Sequence, residues 1–467
     1  MEACIVIRSF RHLARHPTSL CSLIFRALAE LMGLSPSLLS KFRRDPPPME
    51  NMVGKSTEPE PEPEPELPPD MLSSIFALLE VPDLVRAGSV CSSWRSVYTG
   101  LRRQLRQHKQ RQTPCLLYHT SESTGENAAC LYSLAEKRAY KLTLPDPPIR
   151  SRYLIGSSHG WLITSDERSE LHLVNPITGE QIVLPSVITL EQVKPIFDDE
   201  GAIHKYELWK PRYTALAEFL GHEPSIYALD ELRDHLYFKA HLFLDPQTGS
   251  YVVVLIHNPE YQISFARAGD CGWTFLPLGW NYQECIYKDG LLYAVTGTGA
   301  VDAFDLSGST VTRTTVLGDM KHSISEHIYI VQAPWGDMLQ VWRQQPIVAG
   351  DADSENIMET SKIFVYKIDM AEKKLVEING LHGHVLFLGH SQTQCLSVEE
   401  YPQLKANCVY FTDDDRFISL YQTSKRDIGV LNLENDTMEE IVPQIYCSWP
   451  NPTWITPSLR MMHSGLM

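Results

Sequence analysis

The sequence predicts an α+β multidomain chain: a small α-helical unit followed by an all-β, propeller-like domain of six or seven blades. Three observations predict it. Apolar residues within 67–94 recur at helical spacing. From Thr113 onward, short runs rich in Val, Ile, Tyr, Phe and Leu alternate with polar turns, and long helical periods are scarce. Through that second region, turns opening on Asn or Asp recur as a loose repeat.

The chain has 467 residues, enough for two or three domains. Its 43% hydrophobic and 21% charged content is that of a soluble globular protein. A net charge of −16 disfavours nonspecific nucleic-acid binding, so no nucleic-acid partner is expected. The ten cysteines include no C-x-x-C pair, which argues against a zinc ribbon or a disulfide scaffold and fits a reducing compartment. No window approaches 18 apolar residues, and Arg26 and Glu30 interrupt the best candidate, so no membrane span is expected. Asn435-Asp436-Thr437 matches a glycosylation sequon, expected to stay unmodified without a secretory signal.

Residues 1–57 form a basic extension, expected to be disordered. Residues 1–44 carry Arg8, Arg11, Arg15, Arg26, Lys41, Arg43 and Arg44 against Glu2 and Glu30. An organelle transit peptide is the rival reading, as is a start upstream of the true one at Met49 or Met52. Residues 58–66 read EPEPEPEPE. Alternating proline prevents helix and sheet, and glutamate repulsion extends the chain, so this is a stiff acidic linker.

Residues 67–106 are the helical unit. Pro68 and Pro69 suit the first turn of a helix, where a missing N–H costs nothing. Leu72, Ile75, Phe76 and Leu79 form one apolar stripe. Val81-Pro82 is read as a break and Asp83 as the cap of the next helix. Leu84, Ala87, Val90, Cys91 and Trp94 continue the helical spacing. About 40 residues hold too little interior to be stable alone, so the apolar surface needs a partner.

This order of residues resembles an F-box. The LPxD opening is Leu67-Pro68-Pro69-Asp70, the centre is Leu78-Leu79-Glu80-Val81-Pro82-Asp83-Leu84, and the close is Val90-Cys91-Ser92-Ser93-Trp94-Arg95. The resemblance implies docking on a Skp-type adaptor within a cullin–RING ubiquitin ligase. It further implies that Leu67, Pro68, Met71, Leu72, Ile75, Leu84, Val90, Cys91 and Trp94 form the adaptor face and the small core behind it. The rival is an ordinary helical hairpin packed onto the larger domain. After this unit, residues 101–112 carry five basic residues and no acid; without interleaved aromatics they read as a solvated joining helix rather than a nucleic-acid patch.

Residues 113–467 are the β domain. Its turns are Asn175-Pro176-Ile177-Thr178-Gly179, Asp245-Pro246-Gln247-Thr248-Gly249, Asp305-Leu306-Ser307-Gly308, Asp369-Met370-Ala371-Glu372-Lys373 and Asn432-Leu433-Glu434-Asn435-Asp436. Asn or Asp bonds the backbone two residues on, Pro presets φ, and Gly accepts the left-handed position. The openers lie 70, 60, 64 and 63 residues apart, and a strand pair near Leu131 and Tyr140 supplies one more unit. Repeated antiparallel units of this length predict propeller blades with inserted loops; a pair of β-sandwiches is the structural rival.

The run Val385-Leu386-Phe387-Leu388-Gly389, with Tyr401-Pro402, Leu404-Lys405 and 407–414, resembles the C-terminal domain of plant F-box proteins of the KIB-like type. Gly160-Trp161-Leu162, Asn175-Pro176-x-Thr178-Gly179 and Trp273-Thr274-x-Leu276 match its landmarks. The resemblance covers roughly residues 66–440. Residues 187–227 and the acidic insertion 344–359 depart from it.

No H-E-x-x-H, G-x-S-x-G, P-loop or dinucleotide fingerprint occurs, so no cofactor and no catalytic residue is expected. His382, His384 and His390 cluster in sequence but lack a third ligand at credible metal spacing. Asp413-Asp414-Asp415 lacks EF-hand spacing and reads as an acidic strand end. The tryptophans of the large domain are expected mostly in blade cores. The expected function is that of a substrate-recognition subunit of a Skp–cullin–F-box ligase in cytoplasm or nucleus, binding an unknown target. The alternatives are a propeller carbohydrate hydrolase and a non-degradative scaffold that sequesters its partner.

Overall fold

A computed structural model describes residues 68–77, 79–105, 112–119, 128–210, 223–244, 250–276, 279, 281–308, 310–321, 326–348, 357–414, 426–441, 451–459 and 462. The chain divides into two compact units, residues 1–110 and 111–467.

The first unit holds α1 (Pro69–Phe76), α2 (Val81–Ala87) and α3 (Ser92–Leu105). Pro68 sits at the N-cap of α1 and Pro69 in its first turn, as a residue lacking an N–H allows. The predicted stripe outruns the helix: α1 ends at Phe76, and Leu79 is buried from the turn beyond it. Val81-Pro82 opens α2 rather than breaking a helix, and Glu80 holds the N-cap position. Asp83 is therefore no cap. It lies inside the first turn, buried, and accepts a 2.9 Å bond from Arg86 Nη1. Nor does helical spacing run through Val90 and Cys91, because α2 closes at Gly88 and both residues lie in the exposed connection to α3. A Cβ on Gly88 would stand 2.6 Å from the Tyr98 ring, so α3 packs where a side chain would otherwise be. Phe76 and Trp94 meet edge to face, centroids 5.4 Å apart, and join α1 to α3.

In the second unit, six sheets of four or five strands follow one another among the described residues. Blade 1 contains β1 (Cys115–Tyr118), β2 (Ala128–Ser133) and β3 (Arg138–Thr143). Blade 2 contains β4 (Tyr153–Ser158), β5 (Trp161–Ser165), β6 (Leu171–Val174) and β7 (Gln181–Val183). A separate sheet of β8 (Val193–Phe197), β9 (Ile203–Leu208) and β10 (Ser225–Tyr227), then α4 (Glu231–Leu236), occupies the segment that departs from the family pattern. Blade 3 contains β11 (Tyr237–Leu244), β12 (Tyr251–His257), β13 (Gln262–Arg267) and β14 (Thr274–Phe275). Blade 4 contains β15 (Tyr282–Lys288), β16 (Leu291–Thr296), β17 (Val301–Asp305) and β18 (Thr312–Leu317).

Blade 5 is built from β19 (Glu326–Gln332), β20 (Met338–Gln344), β23 (Lys362–Asp369) and β24 (Lys374–Glu377). The small pair β21 (Ile347–Val348) and β22 (Ile357–Met358) is inserted between β20 and β23. Blade 6 contains β25 (His384–Leu388), β26 (Gln394–Ser397), β27 (Cys408–Phe411), β28 (Gly429–Asn432) and β29 (Met438–Glu439). It carries a parallel pair, β25 with β27, because β26 folds back on the other edge of β25.

The last strand, β30 (Thr453–Ile455), adds to β1 and completes blade 1, with Leu116 opposite Trp454. The inward strands β30, β4, β11, β15, β19 and β26 neighbour one another in that order. Trp454 Nε1 donates to Leu388 O of blade 6 at 3.1 Å, so the C-terminal strand closes the ring. The tail after it packs onto blade 2: Asn175 Nδ2 donates to Ser458 O at 3.0 Å, and Met462 enters the core that holds Trp161 and Leu255. Gly160 makes room for this tail; its φ is +83° and a Cβ there would lie 2.4 Å from Ser458.

Four of the five predicted turns join the two outermost strands of a blade, at 175, 305, 369 and 432. The Asp245 turn lies outside the described residues, but its flanking strands are β11 and β12, the first and second of blade 3. The near-constant interval therefore joins unlike positions: the inserted sheet lengthens one step and a first-strand hairpin supplies the next opener.

Candidate functional site

The nine residues predicted for the adaptor face divide by burial. Leu72, Ile75 and Leu84 are fully buried and form the core of the helical unit. Pro68, Val90 and Cys91 are exposed, Val90 at 55%. Met71 and Trp94 are half-buried between these groups, and Leu67 lies outside the described residues. Val90 is thus a large apolar side chain left open to solvent.

In the large unit, ionisable groups converge on the inner strands. Lys239 on β11 lies 2.7 Å from Glu284 Oε2 on β15, and His241 Nε2 lies 2.6 Å from the other oxygen. Thr393, just before β26, donates to Glu284 Oε2 at 3.2 Å. Both strands bulge where these residues occur, between Tyr237 and Lys239 and between Tyr282 and Glu284; β4 does the same between Leu154 and Gly156. A bulge re-aims a side chain. Each of these three strands begins with Tyr, namely Tyr153, Tyr237 and Tyr282. That recurrence was readable in the sequence and marks the inner strands, although sequence reasoning did not use it.

A second group lies between blades 5 and 6. Arg343, fully buried on β20, donates to Thr412 O at 2.8 Å, to Asp427 Oδ2 at 2.8 Å and to Asp414 Oδ1 at 3.3 Å. Tyr329 donates to Asp414 Oδ2 at 2.6 Å. Lys239 Nζ stands 5.0 Å from the Tyr329 ring centre and connects the two groups. Asp413 and Asp414 do end a strand, as expected, but their carboxyls are buried rather than solvated. A small cleft lined by Phe238, Lys239, His327, Tyr329, His390 and Asp414 opens here.

Electrostatics divides these acids. Burial alone would raise Glu284, but His241 and Lys239 outweigh it and hold the carboxyl below its ordinary range. Burial opposes ionisation of Asp414 too, and His327, Arg343 and Lys239 overcome it. Asp413 goes the other way: burial, with Asp427 beside it, pushes it up to about 7. Glu284 and Asp414 are thus fixed anions, matched to cations from neighbouring blades and unsuited to donating a proton to a leaving group.

The histidine cluster does not come together. His382 and His384 flank the Trp335 ring, centroids 5.3 and 4.8 Å away, while His390 lines the cleft beside Asp414. Among the described residues, no group of three or more His, Cys, Asp or Glu is placed to hold a metal ion. Among the described residues, no helix is long and apolar enough to cross a membrane. Trp161, Trp273, Trp342 and Trp454 are buried, as predicted for blade cores; Trp209 and Trp335 are half-buried.

Residues 131–432 match the family described as KIB1-4 beta-propeller, and residues 65–107 match F-box-like. The chain belongs to the KIB1-4 beta-propeller family. F-box protein SKIP23 of Arabidopsis thaliana is 25% identical over 431 residues, a match covering 84% of this chain and 96% of that protein. F-box only protein 7 of Arabidopsis thaliana is 27% identical over 248 residues, covering 51% of this chain and 57% of that protein. Among solved structures, an oligogalacturonate lyase from Vibrio parahaemolyticus shows 14% identity and a TM-score of 0.28, covering 68% of this chain and 85% of that one; this likeness carries no functional argument. The KIB1-4 match begins inside β2 and ends with β28, so the strands that close the ring, β1 and β30, lie beyond it.

Proposed function

We propose that the chain is the substrate-recognition subunit of a Skp–cullin–F-box ubiquitin ligase. Residues 67–106 dock a Skp-type adaptor, and residues 113–467 bind a target protein for ubiquitination. The observation that carries this reading is the coincidence of the F-box-like match at 65–107 with a helical unit that leaves Val90 and Cys91 exposed. Leu67, Pro68, Met71, Val90, Cys91 and Trp94 supply the contact surface; Leu72, Ile75 and Leu84 hold its shape. The chain contributes proximity and no nucleophile. Pairing of the axial carboxylates with cations supports a binding role over a hydrolytic one. The site of action is the cytoplasm or nucleus.

The test is a pull-down of the full chain with a Skp-type adaptor, beside a deletion of residues 66–106 and a Leu67→Ala/Pro68→Ala variant. The substitutions remove apolar contacts worth roughly 1–3 kcal/mol each. Binding lost on deletion and weakened by the substitutions is the expected result. Retention of the adaptor by the deleted chain sinks the assignment.

A further inference from the structure

We propose that the outer edge of blade 4, strand β18, is a target-docking site that takes an extended, uncharged segment of a partner protein by strand addition. The inference rests on the receptor reading and names the surface and the kind of segment it fits.

An outer propeller strand presents unpaired backbone N–H and C=O groups, and proteins protect such edges with short strands, charge or proline. Five blades here follow that rule. β7, β14 and β29 are three, two and two residues long. β24 carries Lys374 and Glu377, and β3 carries exposed Lys141. β18 reads TRTTVL over six residues, has neither Pro nor Lys, and among the described residues pairs with β17 alone. Thr312, Arg313, Thr314 and Thr315 are all exposed.

Its one charge is already committed. Arg313 Nη2 lies 2.9 Å from Asp302 Oδ2, and Thr315 donates to Asp302 Oδ1 at 2.9 Å. Tyr282 donates to the same carboxylate at 2.8 Å, and Asp302 is 1% exposed. The alternate residues of β18 are thereby tied to the blade, so the edge is rigid before any partner arrives. In a chain of net charge −16, this strand offers a partner no unpaired charge. An uncharged segment with β-branched residues complements it: main-chain bonds supply affinity, and Thr312 and Thr314 supply side-chain pairs.

The probe is a fluorescein-labelled peptide, Lys-Thr-Val-Thr-Val-Thr-Glu, neutral overall, titrated into the full chain by anisotropy. Two companion peptides carry N-methyl groups on alternate amides, one in each parity, which removes main-chain donors and keeps the side chains. We expect saturable binding, weakened at least about tenfold by one of the N-methylated peptides and by Thr314→Pro. Because Thr314→Pro could disturb the fold, amide hydrogen exchange on the unmutated chain is read as well; the peptide is expected to slow exchange within 312–316. Absence of binding, equal binding of all three peptides, or protection confined to another strand overturns the proposal. So does a concentration-dependent dimer that Thr314→Pro dissociates, since the edge would then belong to a second copy of this chain. Adaptor capture is read separately: a chain that retains adaptor but ignores the peptide loses this inference and keeps the receptor reading.

Discussion

Lys239 Nζ lies 2.7 Å from Glu284 Oε2, and the two residues belong to the first strands of adjacent blades. Their side chains are 4% and 0% exposed, so neither charge is satisfied by bulk water. His241 and Thr393 complete the carboxylate, which draws blades 3, 4 and 6 onto one anion.

Removing one member of such a group leaves the other charge buried and unpaired. Glu284→Gln is expected to destabilise the propeller by roughly 3–5 kcal/mol. Replacing both, as Lys239→Met/Glu284→Leu, is expected to recover most of that loss. Urea unfolding midpoints of the three proteins decide it. A Glu284→Gln protein as stable as the parent would show that the pair does not hold the blades.

Three buried acids predict a stability profile with two slopes. Asp413 titrates near 7 in the folded chain against about 3.9 unfolded. Its folded value is raised, so its contribution is complete below about pH 4 and is lost as pH rises through 7. Glu284 and Asp414 have lowered values, so their contribution is present above about pH 4 and is lost as pH falls below it. Melting temperature is expected to decline between about pH 4 and 7, and Asp413→Asn, which keeps an acceptor for the Asp427 N–H at 2.8 Å, to flatten that decline. An unchanged slope in Asp413→Asn would assign the decline to other groups.

The C-terminal strand should matter as much as any blade interior. Trp454 is fully buried, packs edge to face on Phe387 at 5.1 Å and bonds Leu388 O. Trp454→Ala is expected to cost roughly 3–5 kcal/mol. Truncation after residue 450 removes the whole of β30 and is expected to give a protein that fails to melt cooperatively in calorimetry.

The division of the nine helical-unit residues makes two classes of variant. Leu72→Ala, at a fully buried site, is expected to cost roughly 2–5 kcal/mol of stability and to weaken adaptor binding only through that loss. Val90→Asp, at an exposed site, is expected to leave the melting temperature within a degree or two and to weaken adaptor binding at least about tenfold. Thermal melts and adaptor titrations on the same preparations separate the two.

Much of the helical unit was legible because its signals are local. Pro68 and Pro69 mark the start of α1, and Leu72, Ile75 and Phe76 do face its core. Asp83 was misread because α2 starts at Val81 with Glu80 at its N-cap, whereas the errors at Val90 and Cys91 share another cause. Apolar spacing measures burial, and a residue in a turn can be buried or exposed in phase with a helix that has already ended. In the large unit, strand and turn alternation sufficed for a propeller, while the even spacing of turn openers combined two kinds of hairpin.

By itself the sequence determined a helical unit ahead of a β domain, the strands with their Asn and Asp turns, and the resemblance to F-box and KIB-like proteins. Those properties are written in residues close along the chain. Tertiary structure alone decided that Cys115 pairs with Ile455, that Asn175 holds the tail at Ser458, and that Lys239, His241, Thr393 and Glu284 share one buried site. It also decided that, among the described residues, β18 pairs with β17 alone. Pairings across hundreds of residues leave no periodic mark in a sequence, because the constraint acts on two distant positions at once and on nothing between them.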